Sequence, residues 1–503
     1  MSQQSLAQQA IIGSWEDDSL RVAQLAGQFN NTVSFAVRPI EPEPVKISWK
    51  KPIIRALPLT LITQFNSTKP FGWNDGAMIP ANGLQVMVRV GLYARYGIIE
   101  VQLAPEWVYA ANKEYITSPD WGSNAGGVYS KLFPGQSSAG IRIGSVSLGI
   151  STQNLWWGPG QRSSLLMSNN APGFLHVYLR SNRPAKTPIG SFEWQLIGAR
   201  LDSDSTRPYE NMYLKLATGN YPSTWRYQSA FVISYQPKWI PGLFLGMTRT
   251  LQRYQKDIGL GGTSFLSKYV PVITKAFLKQ NEQNDDAENT DQLASFFFRW
   301  LFPKSGWEFY GEWGYNDYNQ NVRDYLMDAT HSVAYIIGAS KVYQLQKHLL
   351  WIGAECLQQT ESASNLLRGA GNWYVHGGDN GYTHWNQIMG AGVGYGSNLQ
   401  SIWAKFSNPQ TRYSLLCQVH RINRDPNNYP VKWMDYAINI QPFIQKRQIS
   451  ISPAVTYIYS RNAFWLENNI HANWNLRFQV VYNFTKIKSI KGNKIQHIMK
   501  DRL

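Results

Sequence analysis

The stretch "WNLRFQVVYNF", Trp474 to Phe484, alternates with period two. Trp474, Leu476, Phe478, Val480, Tyr482 and Phe484 share one face, and Asn475, Arg477, Gln479, Val481 and Asn483 share the other. Successive side chains of a strand point to opposite faces, so this is a strand with one apolar and one polar side, long enough to cross a bilayer when tilted. Large aromatics toward the ends of the apolar face suit a lipid–water interface, whereas the core of a soluble sandwich would be dominated by Val, Ile and Leu. "GWEFYGEWGYN" repeats the pattern, with Trp307, Phe309, Trp313 and Tyr315 opposite Glu308, Tyr310, Glu312 and Asn316.

Composition agrees with that reading. Charged residues make up 16% of the 503 residues and aromatics 14%, with 20 Trp and 28 Tyr. Charge is well below the roughly 25% of an ordinary soluble protein. Mean hydropathy is nevertheless negative, and no apolar run approaches the ~20 residues of a membrane-spanning helix. In a transmembrane β-barrel only alternate residues meet lipid, which keeps average hydropathy low, while interfacial girdles raise the Trp and Tyr content. The competing class is a soluble all-β carbohydrate-binding or propeller protein, and the long alternating strands favour the barrel.

An early pair shows the connectivity. In "QVMVRVGLYARYG" the residues Val86, Val88, Val90, Leu92 and Ala94 oppose Arg89, Tyr93 and Arg95. After a tight turn near Gly97, "IIEVQLAPEWVY" sets Ile99, Val101, Leu103 and Trp107 against Glu100, Gln102 and Glu106. This reads as an up-and-down hairpin with a short periplasmic turn and a charged lumen face. Further segments, among them "SFEWQLIGARL", "MYLKLAT", "SFFFRWLF", "SVAYIIGAS", "HLLWIGAECL" and "RYSLLCQVHRI", bring the total to about 16 to 18 strands. Long connections are expected over Ala111–Gly140, Leu251–Gln292, Asn316–His331 and Gln358–Asn398, and loops of that length are usually functional or plugging.

Residues 1–45 read differently. "EDDSLRVAQLAGQF" has helical spacing at Leu20, Val22, Leu25 and Phe29, with Asp17 or Asp18 as N-cap. The expected organisation is a short helical periplasmic segment over 1–45, a barrel over 46–485 and a basic tail over 486–503. The N-terminus lacks the profile of a signal peptide, and export to an outer membrane leads us to expect that the signal has been removed. Cys356 and Cys417 make neither a disulfide framework nor a metal site.

Catalytic signatures are absent from the sequence. The eight His form no HxxxH or HxH pair and no GxSxG elbow occurs, so neither enzyme activity nor a cofactor nor a metal is expected. The acidic stretch "NEQNDDAENTDQ", with Glu282, Asp285, Asp286, Glu288 and Asp291, lacks the EF-hand pattern and reads as a solvated loop. A net charge of +16 invites a polyanion. The basic residues are spread along strands instead of forming a nucleic-acid reader, so acidic polysaccharide or lipopolysaccharide phosphate is the expected partner. The densest basic cluster, Lys486, Lys488, Lys491, Lys494, Lys500 and Arg502, would place a tail in the periplasm, able to meet lipid headgroups or an envelope protein.

"NLWWGPGQRSSLLMSNNAPGF", from Asn154, resembles the signature segment of the Wzi-type capsule assembly proteins. "FGWNDGAMIPANGLQ", "RPAKTPIGSFEWQLIGARL", "DQLASFFFRWLFPKSGWEFYGEWG" and "GNWYVHGGDNGYTHWNQIMGAGVGYGSNLQ" are similar to further segments of that family in its Bacteroidota-like form. The resemblance implies an all-β, antiparallel up-and-down outer-membrane barrel of about eighteen strands plugged by long loops, with a lectin-like role in holding capsular or exopolysaccharide at the cell surface. The short helical region and a chain that continues past Phe484 depart from the family pattern.

Lectin sites combine an aromatic platform for the C–H face of a sugar with planar amides and charged groups for its hydroxyls. Two segments offer that mixture: Trp156, Trp157, Gln161, Arg162, Asn169 and Asn170 in the first, and Trp373, Tyr374, His376, Asp379, Tyr382 and Trp385 in the second. Arg also suits uronate or phosphate groups. Both segments can instead fold inward and pack on their own aromatics and amides; for the Trp156–Trp157 segment that structural or plug role is the expectation, with polysaccharide contact second. If "IRIGSVSLGI" is one descending strand, the Trp pair starts near the periplasmic end, which leaves the second segment as the better candidate for extracellular sugar. The alternatives to a polysaccharide-binding protein are a diffusion porin, which would also have a charged lumen, and an accessory subunit of an envelope complex.

Overall fold

The computed structural model describes residues 12–40, 49, 51–116, 123–124, 126–203, 225–261, 265–273, 290–316, 332–346, 348–360, 373–374, 381–394, 396–408, 411–422 and 431–484. Among these, eighteen antiparallel strands form one closed barrel. The first six are β1 (Ile53–Asn66), β2 (Gly83–Tyr96), β3 (Ile99–Leu103 continuing as Glu106–Ala110), β4 (Tyr129–Phe133 continuing as Ser138–Ile143), β5 (Val146–Ser151) and β6 (His176–Ser181 continuing as Ala185–Thr187). There follow β7 (Gly190–Leu201), β8 (Arg226–Pro237), β9 (Leu243–Tyr254), β10 (Asp291–Phe302), β11 (Trp307–Asn316) and β12 (Val333–Leu345). The last six are β13 (His348–Gln358), β14 (Asn398–Ser407), β15 (Thr411–Ile422), β16 (Trp433–Lys446), β17 (Ile449–Arg461) and β18 (Ile470–Tyr482). Closure is made by β1 on β18, from Leu59 opposite Tyr482 to Asn66 opposite Asn475, which leaves no sheet edge unpaired.

The strands meet through turns of two to five residues at one end and connections of eight to 39 residues at the other. Parity decides the faces as expected. Trp474, Leu476, Phe478 and Tyr482 are exposed outward, while Asn473 and Asn475 are buried inward. On β11, Trp313 and Phe309 face out and Glu308, Tyr310 and Glu312 are buried in the lumen. Outward aromatics stack along and across strands, Trp307 on Phe309 at 5.5 Å and Trp313 on Tyr335 at 5.7 Å. The Gly97 turn is present, with φ +58. Arg89 pairs with Glu106 at 2.9 Å, whereas Glu100 pairs with Arg142 at 3.1 Å.

Three expectations are corrected, and one strand, β1, comes without a sequence signal. "IRIGSVSLGI" is a hairpin: Ile143 and Val146 face each other across a turn in which Gly144 has φ +61. The segment that follows therefore leaves an ascending strand and enters the lumen from the long-loop end. The first long connection is shorter than expected, because Tyr129–Phe133 and Ser138–Ile143 are strand β4. β1 carries no clean alternation signal because Pro58 falls in its middle, and the ladder accommodates it with a register shift between Leu57 and Thr60. The N-terminal helix α1 (Trp15–Leu25) is capped by Ser14, whose hydroxyl accepts from Asp17 N at 3.3 Å. Asp17 and Asp18 lie in its first turn and serve as ion-pair partners. "MYLKLAT", Glu282 to Glu288 and the tail residues from Lys486 lie outside the described residues.

Candidate functional site

The inner face of β10–β13 carries three buried carboxylates, Glu308, Glu312 and Glu355. All three are engaged by chain that occupies the lumen. The segment Thr152–Leu175 turns inward, and its glycines permit the path. Gly158 has φ +124, and a Cβ on Gly173 would stand 1.8 Å from the Thr152 carbonyl oxygen. Glu355 accepts from the backbone N–H groups of Gln161 at 2.6 Å and Arg162 at 3.1 Å, and from the Tyr310 hydroxyl at 2.9 Å. Glu312 accepts from Leu165 N at 3.3 Å and the Ser295 hydroxyl at 2.8 Å. Glu308 accepts from Gln161 Nε2 at 3.0 Å and from Ser340 at 2.7 Å, and it is held between Arg21 at 3.1 Å and Arg299 at 2.7 Å.

Helix α1 lies inside the barrel toward the short-turn end. Trp15 stacks on Phe443 at 4.8 Å, and Gln344 Nε2 donates to the Ala26 carbonyl at 3.0 Å. Arg21 also donates to Pro159 O at 2.8 Å, and Arg38 bridges Asp17 at 3.1 Å to Gly160 O at 2.8 Å, which ties α1 to the inserted segment. Asp18 pairs with Lys405 at 2.7 Å and Arg412 at 2.8 Å. Burial of Asp18 opposes its ionisation, but the Lys405 and Arg412 charges outweigh that and hold the carboxyl at about 2. The folded value lies below the ordinary ~3.9, so this stabilisation is full above pH ~4 and is lost as pH falls toward the folded value. Asp18→Asn is expected to weaken α1 docking by about 2 kcal/mol at neutral pH. Hydrogen exchange in Trp15–Leu25 measures this, and unchanged protection would contradict it.

Of the described members of both aromatic segments, Trp156, Trp157, Asn170, Trp373, Tyr374 and Tyr382 are buried, and Gln161, Arg162, Asn169 and Trp385 are half-buried. Trp157 is wholly buried, and its Nε1 donates to Gln195 at 3.3 Å. Trp156 lies 4.4 Å beneath the Arg38 guanidinium. Asn169 Nδ2 donates to Asn74 O at 2.9 Å, Asn170 Nδ2 donates to Ile388 O at 2.9 Å, and the Arg162 carbonyl accepts from Asn74. In the later segment Trp373, Tyr374 and Tyr382 are buried. Trp373 Nε1 donates to Ser332 O at 2.9 Å, the Tyr374 hydroxyl donates to Leu165 O at 2.6 Å, and the Tyr382 hydroxyl accepts from Gln228 at 3.0 Å. Trp385 is half-buried under the Lys131 ammonium, 2.9 Å from its ring centroid. His376 and Asp379 lie outside the described residues. The structure thus brings the two segments together through Tyr374 and Leu165, and through Ser168 N donating to Met389 O at 2.8 Å.

His384 Nδ1 accepts from Asp202 N at 3.0 Å. Burial, followed by the Arg226, Lys131 and Arg200 charges, lowers its imidazole to about 3. A His held neutral in the folded state favours undocking once pH falls below its ordinary ~6.5, by about 1.4 kcal/mol per pH unit. Between pH 7 and 5 protease cleavage around Tyr382–Val393 is therefore expected to accelerate, and His384→Gln to reduce the acceleration. Equal rates at both pH values in the unsubstituted protein would refute this.

The closed barrel of eighteen strands thus holds an inserted Trp–Trp–Gly–Pro segment on three lumen carboxylates. Residues 71–406, which include that segment and its three carboxylates, match the family model described as capsule assembly protein Wzi. The chain belongs to the Wzi family. Among solved structures it is similar to one described as Wzi, an outer membrane protein involved in group 1 capsule assembly in Escherichia coli and a carbohydrate-binding β-barrel. That alignment has a TM-score of 0.62 and 14% identity, over 93% of this chain and 98% of the other. Two Pseudomonas aeruginosa barrels align less well. OccK2, solved with glucuronate, gives a TM-score of 0.43 at 11% identity over 86% of this chain and 97% of its own. OccK7 gives 0.42 at 11% identity over 85% and 98%. No curated protein matches in sequence.

In this Wzi-family chain, sequence reasoning found the inward Glu308 and Glu312 but missed the plug's other anchors. Glu355 was detectable as the single acid of "HLLWIGAECL" at an inward position, and Arg299 as the single base of "SFFFRWLF". Arg21 and Arg38 gave no signal, because their partners lie in the barrel wall and the inserted segment.

Proposed function

We propose that this protein is an integral outer-membrane protein that binds capsular or exopolysaccharide and holds it at the cell surface, without enzymatic turnover. The short turns then face the periplasm and the long connections the exterior. Family membership supports the capsule-assembly role. The observation that carries the mode of action is that Glu308, Glu312 and Glu355 are all bound by inserted chain. A diffusion channel would keep such groups hydrated along an open path, whereas here the lumen is structural and recognition falls to the long-loop rim.

The test combines two measurements on purified protein. In planar bilayers it is expected to be electrically silent, and on a column it is expected to retain polysaccharide purified from the parent bacterium. Steady conductance without retention would establish the porin alternative. In cells, deletion of the gene is expected to leave polysaccharide synthesis intact but release the product into the medium. Unchanged surface polysaccharide would overturn the proposal.

A further inference from the structure

The connection between β17 and β18, Asn462–Asn469 ("NAFWLENN"), spans eight residues at the long-loop end. Four of its residues have left-handed backbone: Asn462 at φ +54, Phe464 at +60, Trp465 at +57 and Asn468 at +59. Asn tolerates this conformation, but bulky aromatics are outliers there, and each costs on the order of 1–3 kcal/mol. Glycine would make the same turn without that cost. Packing beneath the loop accounts for the buried Phe464, while Trp465 remains half-buried at the surface.

The strain is held from two sides. Within the loop, Asn468 N donates to Asn462 Oδ1 at 3.0 Å, Asn469 Nδ2 donates to Ala463 O at 3.0 Å, and Asn462 Nδ2 donates to Lys432 O at 3.1 Å. Beneath it, the wholly buried Trp433 lies 5.0 Å from both the Phe464 ring and the Trp465 ring, the latter edge-on at 84°. Trp433 is locked in turn: its Nε1 donates to Asp435 Oδ1 at 2.7 Å, and Ser460 donates to the same oxygen at 2.6 Å. Asp435 Oδ2 takes the Lys69 ammonium at 2.6 Å, with both groups fully buried, and Lys69 lies 4.7 Å from the Trp433 ring. A buried, fully bonded ion pair of this kind specifies geometry more than it adds stability. It forms a rigid pedestal under a surface loop.

The pedestal carries a half-buried Trp465, followed in the same loop by exposed Glu467 and Asn468. Ser67 and Thr68, which precede the pedestal's Lys69, are also exposed, with the Ser67 hydroxyl and Thr68 N donating to Asn473 Oδ1 at 3.0 and 3.1 Å. An immobilised indole in a loop that also exposes an amide and a carboxylate suits a pyranose ring, whose C–H face stacks on an aromatic while its hydroxyls bond to planar polar groups.

We propose that the Asn462–Asn469 loop is a carbohydrate subsite, with Trp465 as the stacking platform and the Lys69–Asp435–Trp433 pedestal as its positioning support. This deepens the polysaccharide-binding reading above and rests on it. The test is retention of polysaccharide purified from the parent bacterium by the full-length protein in detergent. Trp465→Ala is expected to weaken binding about tenfold or more, the equivalent of about 1.4 kcal/mol, whereas Trp465→Tyr keeps most of it. Hydrogen exchange on unsubstituted protein supplies a readout independent of variant folding: bound polysaccharide should protect the amides of Asn462–Asn469. Binding by the unsubstituted protein with neither protection of this loop nor loss on Trp465→Ala overturns the subsite and leaves the polysaccharide reading standing. Failure of the unsubstituted protein to bind overturns both.

Discussion

Replacing Glu308 by alanine is expected to convert an electrically silent barrel into a conducting one and to lower its stability by about 3–5 kcal/mol, the range for removing one partner of a buried ion pair. The side chain is fully buried between Arg21 of α1 and Arg299 of β10, and it also receives Gln161 of the inserted segment and Ser340 of β12. Its loss leaves two buried guanidinium groups without their shared counter-ion. Those charges recover solvation most readily if α1 and the Gln161 region leave the wall and water enters. Glu308→Gln keeps the acceptor for Ser340 and removes the charge, so it should give an intermediate result. Single-channel recording and the temperature at which the barrel loses its compact form in detergent are the measurements. A silent, equally stable Glu308→Ala protein would show that the plug does not depend on this junction.

Trp157→Ala is expected to cost about 3–5 kcal/mol, as for other large aromatics removed from a packed interior. Trp157 is wholly buried, its backbone N–H donates to Met167 O at 3.1 Å, and it pairs with Val37 from the N-terminal segment. Removal would leave a void where the inserted segment, the N-terminal segment and β7 meet. Faster proteolysis within Asn154–Gly173 and a lower melting temperature are the expected results, with polysaccharide affinity unchanged wherever the protein stays folded. Lost affinity at unchanged stability would instead make Trp157 a ligand residue. Two tryptophans in one chain, Trp157 embedded in the plug and Trp465 on a pedestal at the rim, should divide stability from binding.

Most of the wall is legible in the sequence. Strand parity in "WNLRFQVVYNF" and "GWEFYGEWGYN" assigned lipid and lumen faces correctly residue by residue, because side-chain alternation is a property of the local backbone. Where turn chemistry or a proline interrupts alternation the reading failed. Gly144–Ser145 hid a hairpin inside one apparent strand, and Pro58 hid β1. The candidate site was less legible. A Trp–Trp pair with amides is the same composition whether it stacks on sugar or on its own barrel, and the difference lies in what covers it. The loop "NAFWLENN" drew no notice, since its significance rests on left-handed backbone and a buried pedestal that no composition reveals.

The sequence by itself determined the class of fold, the two faces of the wall and the inward placement of the lumen acids, since each follows from neighbours two residues apart. Only the tertiary structure decided which inward group meets which inserted one. Arg21 reaches Glu308 across 287 positions, Asn170 reaches Ile388 across 218 and Lys69 reaches Asp435 across 366. A buried charge takes whichever counter-charge the closed barrel brings within hydrogen-bonding distance, and that partner is set by strand register and loop path, which no local pattern encodes.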